Sequence, residues 1–170
     1  MGFMLLGLHL KAQKLEINTT DPSSGKIVKE TNWLKIRGTD KTRLSFKPKR
    51  VGEEVKLYFR ETYSGRNNKC DSGHNYVLLV LETNETLKIT IPSMDAIWEK
   101  QKLEWRKPDA EHPAIDPFGL PTDPLTAQQL TLLLQHNVKS LTICFEGDMN
   151  DIGIKEKDQD NFRSYVALVK

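Results

Sequence analysis

Residues 125 to 145 read L-T-A-Q-Q-L-T-L-L-L-Q-H-N-V-K-S-L-T-I-C-F, and this stretch decides the fold because it predicts a helix followed by a strand. Thr126 and Gln129 have the spacing of a capping box, which satisfies the first backbone N–H groups of a helix. From residue 141 onward apolar and polar residues alternate, as in a β-strand. The apolar face of the helix consists of Leu130, Leu133 and Leu134.

A further strand and a second helix are predicted to complete the chain. Ile152 and Ile154 follow a turn over residues 147 to 151 and begin a strand that pairs with the preceding one. Asp158 is a residue type that caps helices, so we place the start of the last helix there. The apolar face of that helix consists of Phe162, Tyr165, Val166 and Val169.

Upstream of residue 91 the sequence has strand patterns and no amphipathic helix. Residues 55 to 60 read V-K-L-Y-F-R, an alternation typical of a strand with one wet face. An earlier strand containing Leu44 and Phe46 is expected to stop at Pro48. Residues 76 to 91 indicate a hairpin. We therefore predict an α+β fold, an antiparallel sheet of about six to eight strands with two C-terminal helices packed on one face.

The length of 170 residues fits a single domain, which we divide into four parts. Residues 1–13 are a truncated signal segment, 14–91 are rich in β-strands, 92–124 are a Pro-rich insertion, and 125–170 contain the helix, hairpin and last helix. The insertion holds six of the eight prolines and also Trp98 and Trp105. Large aromatic side chains favour interfaces, so both tryptophans are candidate interaction residues. The alternative is that they pack onto the sheet of their own domain.

The N-terminal apolar stretch from Phe3 to Leu10 is typical of a secretory signal, with cleavage expected after Ala12. The alternative is a buried N-terminal strand or helix in a cytoplasmic protein. Export to the periplasm, the cell surface or the medium would expose the protein to oxidising conditions, where Cys70 and Cys144 are able to form a disulfide. The alternative is a free buried thiol at Cys144, which its apolar surroundings would also accommodate. No apolar run reaches the about 20 residues that a membrane-spanning helix requires.

Basic residues are concentrated in one segment, although the net charge of the whole chain is only +2. Residues 26–50 contain nine Lys and Arg side chains and two acids, which leaves a net −5 for the remainder. Strand alternation is expected to place Lys41, Arg43 and Lys47 outward as a stripe that attracts a polyanion. The alternative is that these charges only keep the sheet soluble. Nucleic acid is not favoured, since the aromatic residues do not have the spacing of a stacking motif.

Residues 70 to 74, C-D-S-G-H, gather reactive side-chain types without forming a recognisable catalytic or metal site. The segment offers at most two zinc ligands, whereas structural zinc sites have four. Ser72 lacks the G-x-S-x-G context of a nucleophile elbow. We therefore assign no catalytic residue, metal ligand or cofactor, and interpret the segment as a polar loop.

The stretch from Leu125 to Ile143, together with K-L-E-I-N-T-T-D at residues 14 to 21, resembles the sequences of small uncharacterised exported proteins of Gram-negative bacteria. The resemblance covers the N-terminal edge and the last third of the chain. It implies a periplasmic or surface-facing location, and it carries no assigned activity and no site residues.

These observations lead to one hypothesis and two alternatives. The chain is expected to be an exported, non-enzymatic binding or accessory domain that recognises a protein partner. One alternative is an enzyme with an unrecognised site near His74 or His112. The other is a polyanion-binding module that uses the basic segment 26–50.

Overall fold

The computed structural model describes residues 15–37, 43–62, 68–70, 73–93, 119–145 and 147–170. The strands of the first sheet are β1 (Leu15–Thr20), β2 (Ile27–Thr31), β3 (Leu34–Arg37), β4 (Arg43–Val51), β5 (Glu54–Thr62) and β9 (Leu120–Pro121). Those of the second sheet are β6 (Asn68–Lys69), β7 (Tyr76–Leu81), β8 (Thr86–Thr90), β10 (Val138–Phe145) and β11 (Asp148–Gly153). The helices are α1 (Ala127–Gln135) and α2 (Asp160–Val169), and a 3-10 turn lies at Glu156–Asp158.

Both sheets are antiparallel throughout the described residues. The first has the order β1-β2-β4-β5-β9, with β3 also paired to β4, and the second has the order β6-β11-β10-β7-β8. The predicted α+β class with antiparallel strands is confirmed. The strands are more numerous than expected and are divided between two sheets of six and five.

The β4–β5 hairpin forms the centre of the first sheet. Its turn contains Gly52, whose φ of 61° is a conformation that glycine adopts without strain. Along both strands every second side chain is buried, and we call this side of the sheet the inner face and the opposite side the outer face. The buried residues are Leu44, Phe46, Pro48, Val55, Leu57 and Phe59.

The prediction that Pro48 ends its strand is wrong, because β4 continues to Val51. Leu57, which lies opposite Pro48, directs its own N–H and C=O to Thr122 on the far side of β5. The backbone of Pro48 therefore points away from β5. On that side, β2 pairs only with residues 49–51 of β4 and β3 only with residues 43–46. The missing N–H of proline thus falls in a gap of the ladder, where it costs no hydrogen bond.

Residues 119–125 link the edges of the two sheets. Leu120 and Pro121 pair with β5, and the N–H of Thr122 donates to Leu57 O at 2.8 Å. The N–H of the next residue, Asp123, donates instead to Thr90 O of β8, also at 2.8 Å. Within this end of the Pro-rich insertion, Leu120–Pro121 form a short strand, and backbone hydrogen bonds hold the residues that follow it. Trp98 and Trp105 lie outside the described residues.

The predicted hairpin in the second sheet is formed by β7 and β8. Its turn contains Asn84 with a φ of 68°, a value that asparagine tolerates better than most residues, which explains how the turn forms without glycine. The β10–β11 hairpin is tighter than predicted. Its second strand begins at Asp148 rather than near Ile152, because Gly147 (φ 83°) already lies in the reversal of the chain.

Helix α1 begins with the predicted capping box. The backbone N–H of Gln129 donates to Thr126 Oγ1 at 3.1 Å, and the backbone N–H of Thr126 donates to Gln129 Oε1 at 2.9 Å. The Gln129 side-chain amide also donates to Lys88 O in β8. Leu133 is fully buried, and Leu125, Leu130 and Leu134 pack against the core, so the predicted apolar face is confirmed.

Helix α2 packs on the inner face of the first sheet through the predicted apolar face. Phe162, Tyr165, Val166 and Val169 are all buried, and α2 also contacts α1 and β10. Asp158 does not directly precede the helix as predicted. It lies in the 3-10 turn, where it is 8% exposed and accepts a hydrogen bond from the Asn161 amide, and Gln159 occupies the capping position.

One cluster of buried side chains joins the inner faces of both sheets and the two helices. Within the part of the chain that the structure describes, neither helix is long and apolar enough to cross a membrane.

Candidate functional site

The outer face of the first sheet collects cationic and aromatic side chains. Residues directly opposite each other in antiparallel strands share one face of the sheet. Lys49 lies opposite both Glu30 and Lys56, and Lys47 lies opposite Tyr58. Lys35 and Arg60 both lie opposite Ser45. We call this surface the basic face, and it consists of Glu30, Trp33, Lys35, Lys47, Lys49, Lys56, Tyr58 and Arg60.

A buried carboxylate organises the centre of the basic face. Glu30 is only 6% exposed, and Lys47 Nζ donates to one of its oxygens while Lys49 Nζ lies 3.3 Å from the other. Burial raises the pKa of Glu30, but the hydrogen bonds and positive charges of Lys47 and Lys49 outweigh burial and hold the pKa below its ordinary value. Glu30 is therefore charged at neutral pH.

Two aromatic rings flank the ammonium group of Lys47. Its Nζ lies 4.8 Å from the centroid of the Trp33 ring and 5.9 Å from that of Tyr58, within the range of cation–π attraction. A Cβ atom at Gly119 would lie 3.1 Å from Trp33 Cη2, so glycine allows the ring to pack directly against the chain at that position. Because it has these contacts on several sides, the side chain of Lys47 is held in place and only 13% exposed.

The charge of the basic face is strongly positive. It contains five Lys and Arg side chains and one carboxylate, Glu30, while a second carboxylate, Glu54, lies beside Lys56 on the same side of β5. Lys49 and Lys56, which are directly opposite each other, carry the same charge, an arrangement that lowers the stability of a sheet. The surface is thus suited to attract a negatively charged group.

Of the predicted interaction residues, the structure places Lys47 within the basic face. Arg43 occupies the end of β4, at the register position opposite Arg37 and Thr62, and its side chain lies outside the described residues. Lys41, Trp98 and Trp105 also lie outside them. The predicted outward stripe is therefore represented by Lys47 alone, and its ammonium group is engaged by Glu30.

Five residues of the basic face were not predicted to be site residues: Glu30, Trp33, Lys56, Tyr58 and Arg60. The alternation of residues 55 to 60 already placed Lys56, Tyr58 and Arg60 on one wet face. The alternation does not predict the order of the strands in the sheet. Glu30 and Trp33 lie beside Lys47 only because β2 and β3 both pair with β4.

Cys70 and Cys144 form a disulfide, with their Cα atoms 6.1 Å apart. Ile143 faces the core, so the next residue, Cys144, lies on the opposite side of β10. Cys144 is nevertheless fully buried. The N–H of Cys70 donates to Gly147 O at 3.0 Å, directly after β6 has paired with β11. The disulfide thus joins the end of β6 to β10, across the intervening strand β11.

The second candidate region of the sequence lies around His74 and His112. His74 is exposed, and His112 lies outside the described residues. Across the described ranges, no group of three or more His, Cys, Asp or Glu side chains is placed to hold a metal ion.

Comparison of the chain with protein-family models, with curated proteins and with solved structures finds no match.

Proposed function

We propose that this chain is a binding module that recognises an acidic protein partner through the basic face. The observation that carries the proposal is the arrangement of Trp33, Lys47 and Tyr58 at the centre of a positively charged outer sheet face. Aromatic side chains and arginine are enriched in the centres of protein interfaces.

Order within the basic face favours binding. Association costs free energy when flexible side chains become fixed, and side chains that are already held avoid part of that cost. Glu30 and Trp33 hold Lys47 in this way before any partner arrives. The less buried Lys56 and Arg60 lie around this centre and supply long-range attraction.

Binding to an acidic polypeptide tests the proposal. Poly-L-glutamate is immobilised on a biosensor surface, and the wild-type chain is compared with a Lys56→Glu, Arg60→Glu double variant. The matched control is Lys155→Glu with Lys157→Glu, which makes the same change in net charge at two exposed residues outside the basic face. We expect affinity to fall about tenfold or more for the face variant and to change little for the control, because opposed like charges suppress association.

Salt provides a second arm of the same experiment. Binding of the wild-type chain is expected to weaken strongly at about 0.5 M NaCl, where the Debye length falls to about 4 Å. Equal losses for the face variant and the control would show that only net charge matters, and would overturn the proposal.

A polyanion such as a sulfated polysaccharide is the second candidate partner. Three cationic residues of the basic face, Lys35, Lys47 and Lys49, belong to the basic segment 26–50, and this concentration of positive charge supports the candidate. Salt-dependent retention on heparin that exceeds retention on poly-L-glutamate, and that is lost with Lys35→Glu, would favour this candidate. Flow-through at low salt would remove it.

We further propose that the protein works in an oxidising, extracytoplasmic compartment. The disulfide between Cys70 and Cys144 supports this location, since disulfides persist in exported proteins and are rare in reducing compartments. Mass spectrometry of the protein purified from its native host tests it. Cleavage after Ala12 together with a bridged cysteine pair is expected, and a chain that begins at Met1 with two free thiols would contradict it.

A further inference from the structure

Among the described residues, β1 is the longest strand at a sheet edge, and no strand pairs with its outer side. Strand β1 pairs with β2 on one side only. By contrast, β6 and β9 contain two residues each. The edge of β8 is covered, because Thr90 O accepts from the Asp123 N–H and Lys88 O accepts from the Gln129 amide.

Strand β1 has little of the usual protection of an edge strand beyond Glu16 and the irregularity at its start. Residues 16–20 are exposed, and the strand contains neither lysine nor proline, the residue types that commonly discourage pairing with another chain. Ile17 is 37% exposed and lies opposite Glu30, hence on the outer face. The backbone of Ile17–Thr20 forms a regular ladder with β2, and the irregularity of β1 is confined to its start.

We propose that β1 pairs with β1 of a second copy of this chain, antiparallel and with Asn18 on the two-fold axis. Such an axis runs perpendicular to the sheet and keeps the two outer faces on the same side, so outward residues must oppose outward residues. Centring the pair on Asn18 meets this condition, since Ile17 of each copy then opposes Thr19 of the other.

The strand is self-complementary in this register. Ile17 and Thr19 are both β-branched, a residue type that packs well against its neighbours on the surface of a sheet. Glu16, the one charged residue of β1, opposes Thr20 of the second copy, so no like charges face each other. Other occupants of the edge, such as an extended segment of a different protein, would leave the chain monomeric on its own.

The paired assembly forms one continuous sheet with two basic faces on the same side. The β4 strands of the two copies are separated by five strand spacings, or about 24 Å. An acidic partner that spans this distance would engage both copies at once. The pairing itself does not depend on the function proposed above, and it is tested without any acidic ligand.

Cross-linking tests the register directly. Directly opposed residues of antiparallel strands have Cα atoms about 4.5–5.5 Å apart, within the range that a disulfide bridges. An Asn18→Cys variant is therefore expected to form a covalent dimer under mild oxidation. The control is Thr86→Cys, which replaces an exposed threonine at the start of β8. We expect this variant to form the covalent dimer at least about tenfold more slowly. Equal rates for the two variants would overturn the proposal.

Sedimentation over a range of protein concentrations tests the energetics. A single added strand buries less area than the about 1,000 Å² typical of a stable interface, so we expect reversible dimers at high protein concentration. Ile17→Lys with Thr19→Lys places lysines opposite each other and is expected to raise the dimer Kd about tenfold or more. Ile27→Lys changes the other exposed isoleucine, one strand away, and is expected to leave the Kd nearly unchanged. A wild-type chain that stays monomeric throughout would refute the pairing.

Discussion

The ring of Phe162 in α2 stacks on the ring of Phe46 in β4, with the ring centroids 4.0 Å apart and the planes inclined by 21°. Both side chains are fully buried. This contact fastens the last helix to the centre of the first sheet, on the side opposite the basic face. The position of the sheet strands that display Lys47 and Tyr58 therefore depends on a contact in the core.

Removing this ring is expected to destabilise the whole domain. Phe162→Ala should lower the free energy of unfolding by about 3–5 kcal/mol, because it loses buried apolar area and leaves a cavity. Urea denaturation followed by circular dichroism measures the change. Ala167→Ser, at an exposed position of the same helix, is the control and is expected to change the free energy by less than about 0.5 kcal/mol. A loss of similar size in both variants would contradict the packing described for α2.

The disulfide is expected to contribute strongly to stability. It closes a loop of 74 positions, for which the chain-entropy treatment gives a stabilisation of about 4 kcal/mol. Cys70→Ser with Cys144→Ser should therefore unfold at a lower urea concentration than the oxidised wild-type chain. Wild-type protein treated with a reductant should approach the double variant, while reductant should not affect the variant itself. Identical transitions for oxidised and reduced wild-type protein would count against the bridge.

The carboxylate of Glu30 predicts a specific pH dependence. Because its pKa in the folded state lies below the ordinary value, its contribution to stability is present above the ordinary carboxyl pKa and is lost as the pH falls through the folded-state pKa. Glu30→Gln should therefore be less stable than the wild-type chain at pH near 7, by about 3–5 kcal/mol, since it leaves Lys47 without its carboxylate. The difference should shrink in acid. Urea denaturation of both proteins at a series of pH values from about 7 into acid measures the difference in the free energy of unfolding.

The control for this prediction is Glu53→Gln. The Glu53 side chain is 95% exposed although it pairs with Arg50, so its replacement should change stability by less than about 1 kcal/mol at any pH. A constant difference between Glu30→Gln and wild type at all pH values would show that the charge of Glu30 is not the cause.

A side chain at residue 119 is predicted to strain the packing of Trp33 against the chain. The added Cβ of Gly119→Ala would lie 3.1 Å from Trp33 Cη2, so the ring must shift. We expect a loss of about 1–3 kcal/mol in the free energy of unfolding, typical of overpacking, and weaker binding to poly-L-glutamate. In a Trp33→Leu background the cost of Gly119→Ala should largely disappear. If it persists, the backbone conformation at residue 119 rather than the ring explains the need for glycine.

Local patterns predicted the helices and hairpins well, since each depends on residues close together in the sequence. Thr126 and Gln129 satisfy each other across a single helical turn, and the alternation around Leu57 requires only one buried face. The prediction that β4 ends at Pro48 failed because it depends on strands that are distant in the sequence. Whether its missing N–H matters depends on β2 and β3, which leave a gap beside it, and no local pattern contains that information.

The candidate site shows the same limit. The concentration of basic residues in segment 26–50 predicted Lys47 as an interaction residue. It did not predict Glu30, whose carboxylate binds the ammonium group of Lys47. In a count of charges, the two acids of this segment are outnumbered by nine basic residues. Glu30 becomes important because the register places it opposite Lys49, where it is buried. The role of a charged residue therefore depended on strand pairing rather than on composition.

Thr122 and Asp123 are neighbours in the chain, yet their amides donate to carbonyls of different sheets, Leu57 O in the first and Thr90 O in the second. If one sheet moved relative to the other, at least one of these two hydrogen bonds would have to lengthen, because their donors are adjacent in the chain. The two sheets are thus coupled at this point, and we expect both amide protons to be protected from exchange with solvent by a similar free energy of opening.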